Sequence, residues 1–364
     1  MSTARQLKIA DHWIGDGHPC FVTYEAGPTH DGVDTAIALV KEAAIAGANA
    51  IKFQIFDADK LVQDKSQLFT YSILKDVNTG EQEEISEPLY DILRRRQLSH
   101  SDWRKVKAVA DSYSLAFFAT IGFEEDLELL QEINCHSVKI ASADVNHFPL
   151  LRLAAQSGLN IQIDTGSSEL SEIVRAVDFL ESQGCNSIII HQCPSGYPAR
   201  IPSICLNMIK TLRDAFPKYP IAYSDHTPEA DMDIAAVAMG ANLIEKTITF
   251  NRCTPSVEHI FSLEPPDMRS FIKRIRDIEL ALGSSSRMLS DEQKKNRSLI
   301  RRGAYLLKDV TAGEQVNLDD LLFRRPCNGL AVDILDELIT SGCQYTKNLK
   351  SGSELFSENV SRNI

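Results

Sequence analysis

Residues 137–145 read SVKIASADV. Val138, Ile140 and Ala141 have the apolar character of a buried strand, yet Lys139 stands among them and Ser142 and Asp144 follow at once. Lysine is rarely buried without a partner, because taking an ammonium group out of water is costly. A lysine at the end of such a strand therefore points to an anion nearby.

Working outward, the same kind of apolar run recurs eight times: Phe21–Glu25, Ala50–Gln54, Leu115–Thr120, Ser137–Ser142, Asn160–Thr165, Ser187–Gln192, Ile221–Asp225 and Asn242–Thr247. Amphipathic segments lie between them, among them Asp34–Ala46, Ser101–Ser112, Glu169–Gln183, Leu206–Phe216 and Pro228–Gly240. In the first, Ile37, Val40 and Ala44 form one apolar stripe. Gly47, Gly184 and Gly240 stand where helices need a left-handed cap. Eight strand–helix alternations predict an α/β fold, a (β/α)8 TIM barrel. A doubly wound open sheet is the alternative, but it would carry a glycine-rich phosphate loop after the first strand. YEAGPTHDG (24–32) lacks that G-x-G-x-x-G spacing.

The segment from Phe56 to Leu98 is long and polar, the size of a functional lid. Pro265–Leu282 reads as the last barrel helix, which sets a barrel domain at 1–282. GSSSRMLSDEQKKNRS (283–298) has the composition of a linker. Residues 299–364, with short strand-like runs and turns, form a small second domain.

With 364 residues, 43% of them hydrophobic, the chain has ample material for a core. A net charge of −12 argues against nucleic acid or an anionic membrane as partner. None of the eight cysteines forms a C-x-x-C pair, which argues against structural zinc and for a reduced, cytoplasmic protein. Met1–Ala10 lacks the apolar segment of a signal peptide, and no run reaches membrane-spanning length.

A barrel gathers its chemistry at the C-terminal strand ends. Those ends carry Glu25; Lys52 and Gln54; Thr120; Lys139 and Ser142; Asp164 and Thr165; Gln192, with Ser195 and Tyr197 beyond; Ser224, Asp225 and His226; and Glu245, Lys246 and Thr247. Residues two apart share a face, so Lys52 points with Gln54, and Thr23 with Glu25. A lone lysine would snorkel to water. Two lysines converging on one mouth repel unless an anion sits between them. His226, in SDHT near several carboxylates, suits metal binding or proton transfer. The set suits a phosphorylated or carboxylated small molecule.

Several motifs resemble the sialic acid synthase family, which condenses phosphoenolpyruvate with an acylamino sugar. EAGPTHDG (25–32), IKFQ (51–54), KIAS (139–142), DTG (164–166), QCPSGYP (192–198), SDHT (224–227) and SLEP (262–265) follow in the family's order. The C-terminal RRGAYLLKDVTAGE and RRPCNGL look like its antifreeze-like (SAF, β-clip) domain. The resemblance implies that Lys52, Thr120, Lys139, Ser142, Ser195 and Ser224 surround phosphoenolpyruvate. It implies that Gln54, Tyr197 and Glu258 face the sugar, and that Glu25 transfers protons as a catalytic residue beside Lys52, Lys139 and Asp144. It implies a domain-swapped homodimer in which Arg325 reaches into the sugar site of the second chain. It also implies a divalent metal, Mn2+ or Mg2+, with His226 as one ligand.

The chain departs from the family's pattern at several places, among them Thr29, which stands in an asparagine slot of the first-strand motif. Thr247 takes the slot of the family's second metal-binding histidine, and a hydroxyl is a poor ligand for a transition metal. His226 with waters, weak magnesium binding, or His259 swinging in are the ways a metal could still be held. Glu258 stands for an aspartate, Asp144 for a sugar-facing glutamate, and Asp164 for a small hydroxyl residue. These changes suggest a sugar other than N-acetylmannosamine, such as a deoxy diacetamido hexose. Two other readings stay open: a condensing enzyme for a phosphorylated sugar of the octulosonate type, and a non-catalytic barrel that binds a sugar or a partner.

Overall fold

The computed structural model describes residues 5–362. The chain divides into two compact units, Met1–Gly283 and Ser284–Ile364.

The first unit is a closed barrel of eight parallel strands. They are β1 (Phe21–Glu25), β2 (Ala50–Gln54), β3 (Ala116–Thr120), β4 (Ser137–Ile140), β5 (Asn160–Asp164), β6 (Ile188–Gln192), β7 (Ile221–Asp225) and β8 (Leu243–Thr247). The expected TIM barrel is therefore present, with each strand within two residues of its expected limits. Alternation explains both of its layers. Val22, Tyr24, Ile51, Phe53, Val138 and Ile140 turn outward and pack against helix residues such as Leu39, Val40, Trp103 and Val106. The intervening residues fill the interior. Val33–Ala46 ends at Gly47, whose left-handed φ of 92° lets its N–H reach the carbonyls of Ala43 and Ala44.

A short hairpin, Gln6–Ile9 with His12–Gly15, precedes the barrel. Its Ile9 and Ile14 join Phe21, Ala50, Phe118 and Leu243 in one buried apolar cluster. Phe21, Ala50 and Leu243 are the first residues of their strands, so the hairpin closes the N-terminal end of the cylinder.

The polar segment between Phe56 and Leu98 is not a bare loop. It holds a second hairpin, Leu68–Asp76 with Glu81–Pro88, and a short helix, Leu89–Arg94. Tyr71, Ile73 and Ile92 are buried with Val257, and Phe69 and Ile85 pack against them. One face thus docks on the barrel top while Glu81, Glu83 and Glu84 stay exposed. Ser142, expected at a strand end, instead opens a 3-10 turn, Ser142–Asp144.

The second unit pairs Gly303–Leu306 with Leu321–Arg324, and Cys343–Tyr345 with Val360–Arg362. Its own core includes Ala304, Leu306, Leu335, Tyr345 and Leu355. The stretch 283–298, expected as a linker, ends inside a helix, Asp291–Ile300. Ser290 and Gln293 form its capping box: Gln293 N donates to Ser290 Oγ at 3.1 Å, and Ser290 N to Gln293 Oε1 at 3.0 Å. The charged surface of that helix gives it the composition of a linker. Among the described residues no helix is long and apolar enough to cross a membrane.

Candidate active site

Inward alternation brings Lys52 of β2, Lys139 of β4 and Glu245 of β8 to one point in the barrel. Glu245 holds both lysines: Lys52 Nζ donates to Oε1 at 2.9 Å and Lys139 Nζ to Oε2 at 2.7 Å. Lys52 also pairs with Glu25, whose Oε1 accepts from Gly27 N at 2.6 Å. A Cβ at position 27 would lie within 2.7 Å of both Glu25 Oε1 and the backbone of Gln54, so only glycine fits this turn. Lys139, with no exposed surface, further contacts Asp164 Oδ1 at 2.9 Å, Ser224 Oγ at 3.0 Å and His191 Nδ1 at 3.2 Å. The anion beside Lys139 is thus a pair of the protein's own carboxylates.

Burying ions costs several kcal/mol each unless every charge is paired and hydrogen-bonded. The mouth meets that condition closely. Burial alone would push Glu245's carboxyl up, but the ammonium groups of Lys139 and Lys52 outweigh it and hold the group well below the usual carboxylate range. Burial likewise opposes the charge on Lys139, and Asp164 and Glu245 overcome it, so its net shift is upward. His191 is driven well below its ordinary value by burial and then by Lys139. It is a neutral ring, tied through Nε2 to Gln162 Oε1 at 2.9 Å. Two ammonium groups meet three carboxylates here, Glu25, Asp164 and Glu245, leaving one negative charge over.

The other expected residues are placed as follows. Ser224, on β7, bonds Lys139 and donates to Asp164 Oδ1 at 2.9 Å. Thr120 and Gln54 end β3 and β2, partly buried. Ser142 accepts from Gly166 N at 3.0 Å, and a Cβ on Gly166 would lie 2.8 Å from its Oγ. Ser195 is exposed and shares a hydrogen bond with Ser167 at 2.8 Å. Asp144 is half-buried, with burial raising its carboxyl, and its Oδ1 lies 3.7 Å from His147 Nδ1. Tyr197 packs against His226 with ring centroids 4.6 Å apart and ring planes tilted by 32°. Glu258 is buried at a left-handed φ of 74°; burial raises its carboxyl, opposed by His226, Arg96 and Lys52. Arg325 is exposed in the second unit.

Glu245, Asp164, His191 and Gln162 stand at the centre of the network, though only the first two were visible as strand-end residues. The signal for Glu245 was the alternation of β8, which turns it inward and Lys246 outward. Lys246 is fully buried behind the barrel wall. It pairs with Asp225 and, at 3.2 Å, with Asp233, and donates to the carbonyls of Thr227 and Glu229 at 2.6 and 2.7 Å.

The donor set does not fit a two-histidine metal site. His226 has an enclosed Nδ1 without a hydrogen-bond partner, the mark of a ring with a free donor atom. Thr247, buried beside Glu25 in the strand register, presents only a hydroxyl. His259 does not turn toward the mouth: it bonds Thr249 Oγ1 at 2.7 Å and lines a separate cavity of about 430 Å³ with His30 and Arg96. Among the described residues no three His, Cys, Asp or Glu side chains are gathered as a metal cage.

Residues 39–287 match the NeuB family model. The N,N'-diacetyllegionaminic acid synthase of Legionella pneumophila is 32% identical over 95% of this chain and 96% of its own. The chain belongs to the NeuB family. Within that family, the mouse N-acetylneuraminate-9-phosphate synthase is 27% identical over 85% of this chain and 84% of its own. The crystal structure of an N-acetylneuraminic acid (sialic acid) synthetase from Leptospira borgpetersenii in complex with citrate is similar with a TM-score of 0.70 and 27% identity, covering 80% of this chain and 95% of that one. This NeuB chain thus has relatives in bacteria and mammals that include legionaminic, pseudaminic and N-acetylneuraminate-9-phosphate synthases.

Proposed function

We propose that the barrel condenses phosphoenolpyruvate with an open-chain acylamino hexose, giving a sialic-acid-type nonulosonic acid and phosphate, and so acts as a transferase. The observation that carries this reading is the bridge of Lys52, Glu245 and Lys139: two buried ammonium groups at one barrel mouth, with Ser224 beside them. Such donors neutralise a phosphate and a carboxylate together. C3 of the enol ester attacks the sugar's aldehyde carbon, and the carbonyl oxygen takes a proton. Water adds to C2 and loses a proton; the bond from C2 to the phosphate oxygen then breaks, leaving a 2-keto acid. Glu25, fixed by Gly27 N–H and Lys52, is the group suited to that proton traffic. Lys52 and Lys139 hold the anion, joined by Thr120 at the end of β3 and by Ser142 and Ser195 from the loops beyond β4 and β6. Gln54, Tyr197 and Glu258 rim the side on which the sugar would lie, with Asp144 farther out.

The legionaminic and N-acetylneuraminate-9-phosphate synthases among the relatives support the reaction class. Asp144, Asp164, Thr247 and Glu258 favour a deoxy diacetamido sugar over N-acetylmannosamine. Thr247 offers only a hydroxyl where a second imidazole would be needed to hold a divalent metal beside His226. The second unit is read as the antifreeze-like domain, with Arg325 completing the sugar site of a partner chain in a cytoplasmic homodimer.

The test is phosphate release with a panel of 2-acetamido and diacetamido aldoses, with products identified by mass spectrometry. Release is expected only when phosphoenolpyruvate and a sugar are both present. No release across the panel, with and without divalent cations, would sink the proposal.

A further inference from the structure

Asp164 occupies the place an anionic substrate needs. Its Oδ1 lies 2.9 Å from Lys139 Nζ and accepts from Ser224 Oγ at 2.9 Å, so it holds both donors at once. Of the two carboxylates on Lys139, Glu245 is locked by Lys52 as well, whereas Asp164 ends β5 and has the more exposed side chain, 14% against 8%. The mouth already carries one negative charge over. Adding a trianion to a buried site in that state is strongly unfavourable, since like charges at such distances repel with little screening.

Resting on the phosphoenolpyruvate reading, we propose that Asp164 is a proton-linked gate: the substrate's anionic group replaces it on Lys139 and Ser224, and Asp164 takes up one proton from solvent as it is displaced. No bond other than that O–H is made or broken, and the neutral carboxyl can then donate to the bound anion.

The groups facing Asp164 leave it as the acceptor. Lys139 of β4 is already protonated. His191 of β6 sits against Lys139, whose charge opposes a second one on the ring. Cys193, just beyond β6, is a buried thiol, raised by burial and by Asp164, and it already carries its proton. Tyr197 carries its proton likewise, and Glu245 of β8 is held ionised by two lysines.

Proton uptake makes binding of phosphoenolpyruvate weaken as pH rises, by up to about tenfold per pH unit. The test is isothermal titration of phosphoenolpyruvate into the full-length protein at pH 7 and 8, in two buffers of different ionisation enthalpy, with Asp164→Asn and Asp164→Ser beside the wild type. The wild type should take up close to one proton more than either variant, and both variants should bind about tenfold tighter at pH 8. Two variants guard against one misfolding, and thermal melting checks each. Equal proton counts with unchanged affinities would overturn the gate, as would an obligatory divalent cation taken up in place of the proton. If neither wild type nor variants bind phosphoenolpyruvate, it is the proposed function that fails, not the gate alone.

Discussion

Glu245 keeps two ammonium groups buried within one cylinder, and its removal should be felt in the fold as well as in the chemistry. Glu245→Gln leaves Lys52 and Lys139 facing each other across an amide, and loss of one partner of a buried ion pair costs about 3–5 kcal/mol. Urea denaturation followed by circular dichroism should register that loss. Lys139→Met should lower phosphate release about a hundredfold or more, because a preorganised charge at the reacting anion is removed. Thr247→His returns a second imidazole beside His226. Titration with Mn2+ should then show binding at least about tenfold tighter than in the wild type, since imidazole is a far better ligand than a hydroxyl. At this scale the sequence disclosed the lysines but not their partner. Lys139 and Glu245 are 106 residues apart, and only closure of the barrel joins them. Asp144 shows the converse: a motif neighbour of Lys139 that the turn carries away from the network.

Among the elements, β8 shows how one strand serves two layers. Glu245 turns into the mouth, and Lys246 turns out to bind Asp225 and Asp233. Lys246→Met should destabilise the barrel by about 3–5 kcal/mol, while per folded molecule the activity changes little. The top loops carry a pH signature of their own. Burial holds His30 and His259 at about 4, against 6.5 for a free imidazole. The unfolded chain therefore binds protons near pH 6.5 that the folded chain refuses until about 4. Their stabilisation is present above pH 6.5 and is lost as pH falls through 4, on the order of 3 kcal/mol for each ring. Melting temperature should drop across that window, and less so in His259→Asn. Barrel strands were legible because continuous apolar runs bounded by glycine and polar turns have few other readings. The hairpin over residues 68–88 was not, because Glu81, Glu83 and Glu84 dominate the composition of its second strand, while the alternation of Phe69, Tyr71 and Ile73 is confined to the first.

At the scale of the molecule, two units with separate cores are joined through an exposed stretch around Arg287. Trypsin should cut there first and release fragments split near that point, read by mass spectrometry. The proposed exchange of Arg325 between chains has its own test. Lys139→Met and Arg325→Ala variants, each inactive alone, should regain up to about a quarter of wild-type phosphate release when unfolded and refolded together, because half of the re-formed dimers are mixed and each owns one intact site. The two-unit plan was readable from the run of serines after the last barrel helix, but the helix Asp291–Ile300 was hidden by its solvated, charged surface.

The hairpin of Ile9 and Ile14 makes the cylinder a blind vessel with a single door. In the proposed reaction both reactants would enter, and inorganic phosphate would depart, through the same opening, so release of one molecule would precede arrival of the next. Traffic there, rather than bond-making, would set the pace whenever phosphate accumulates.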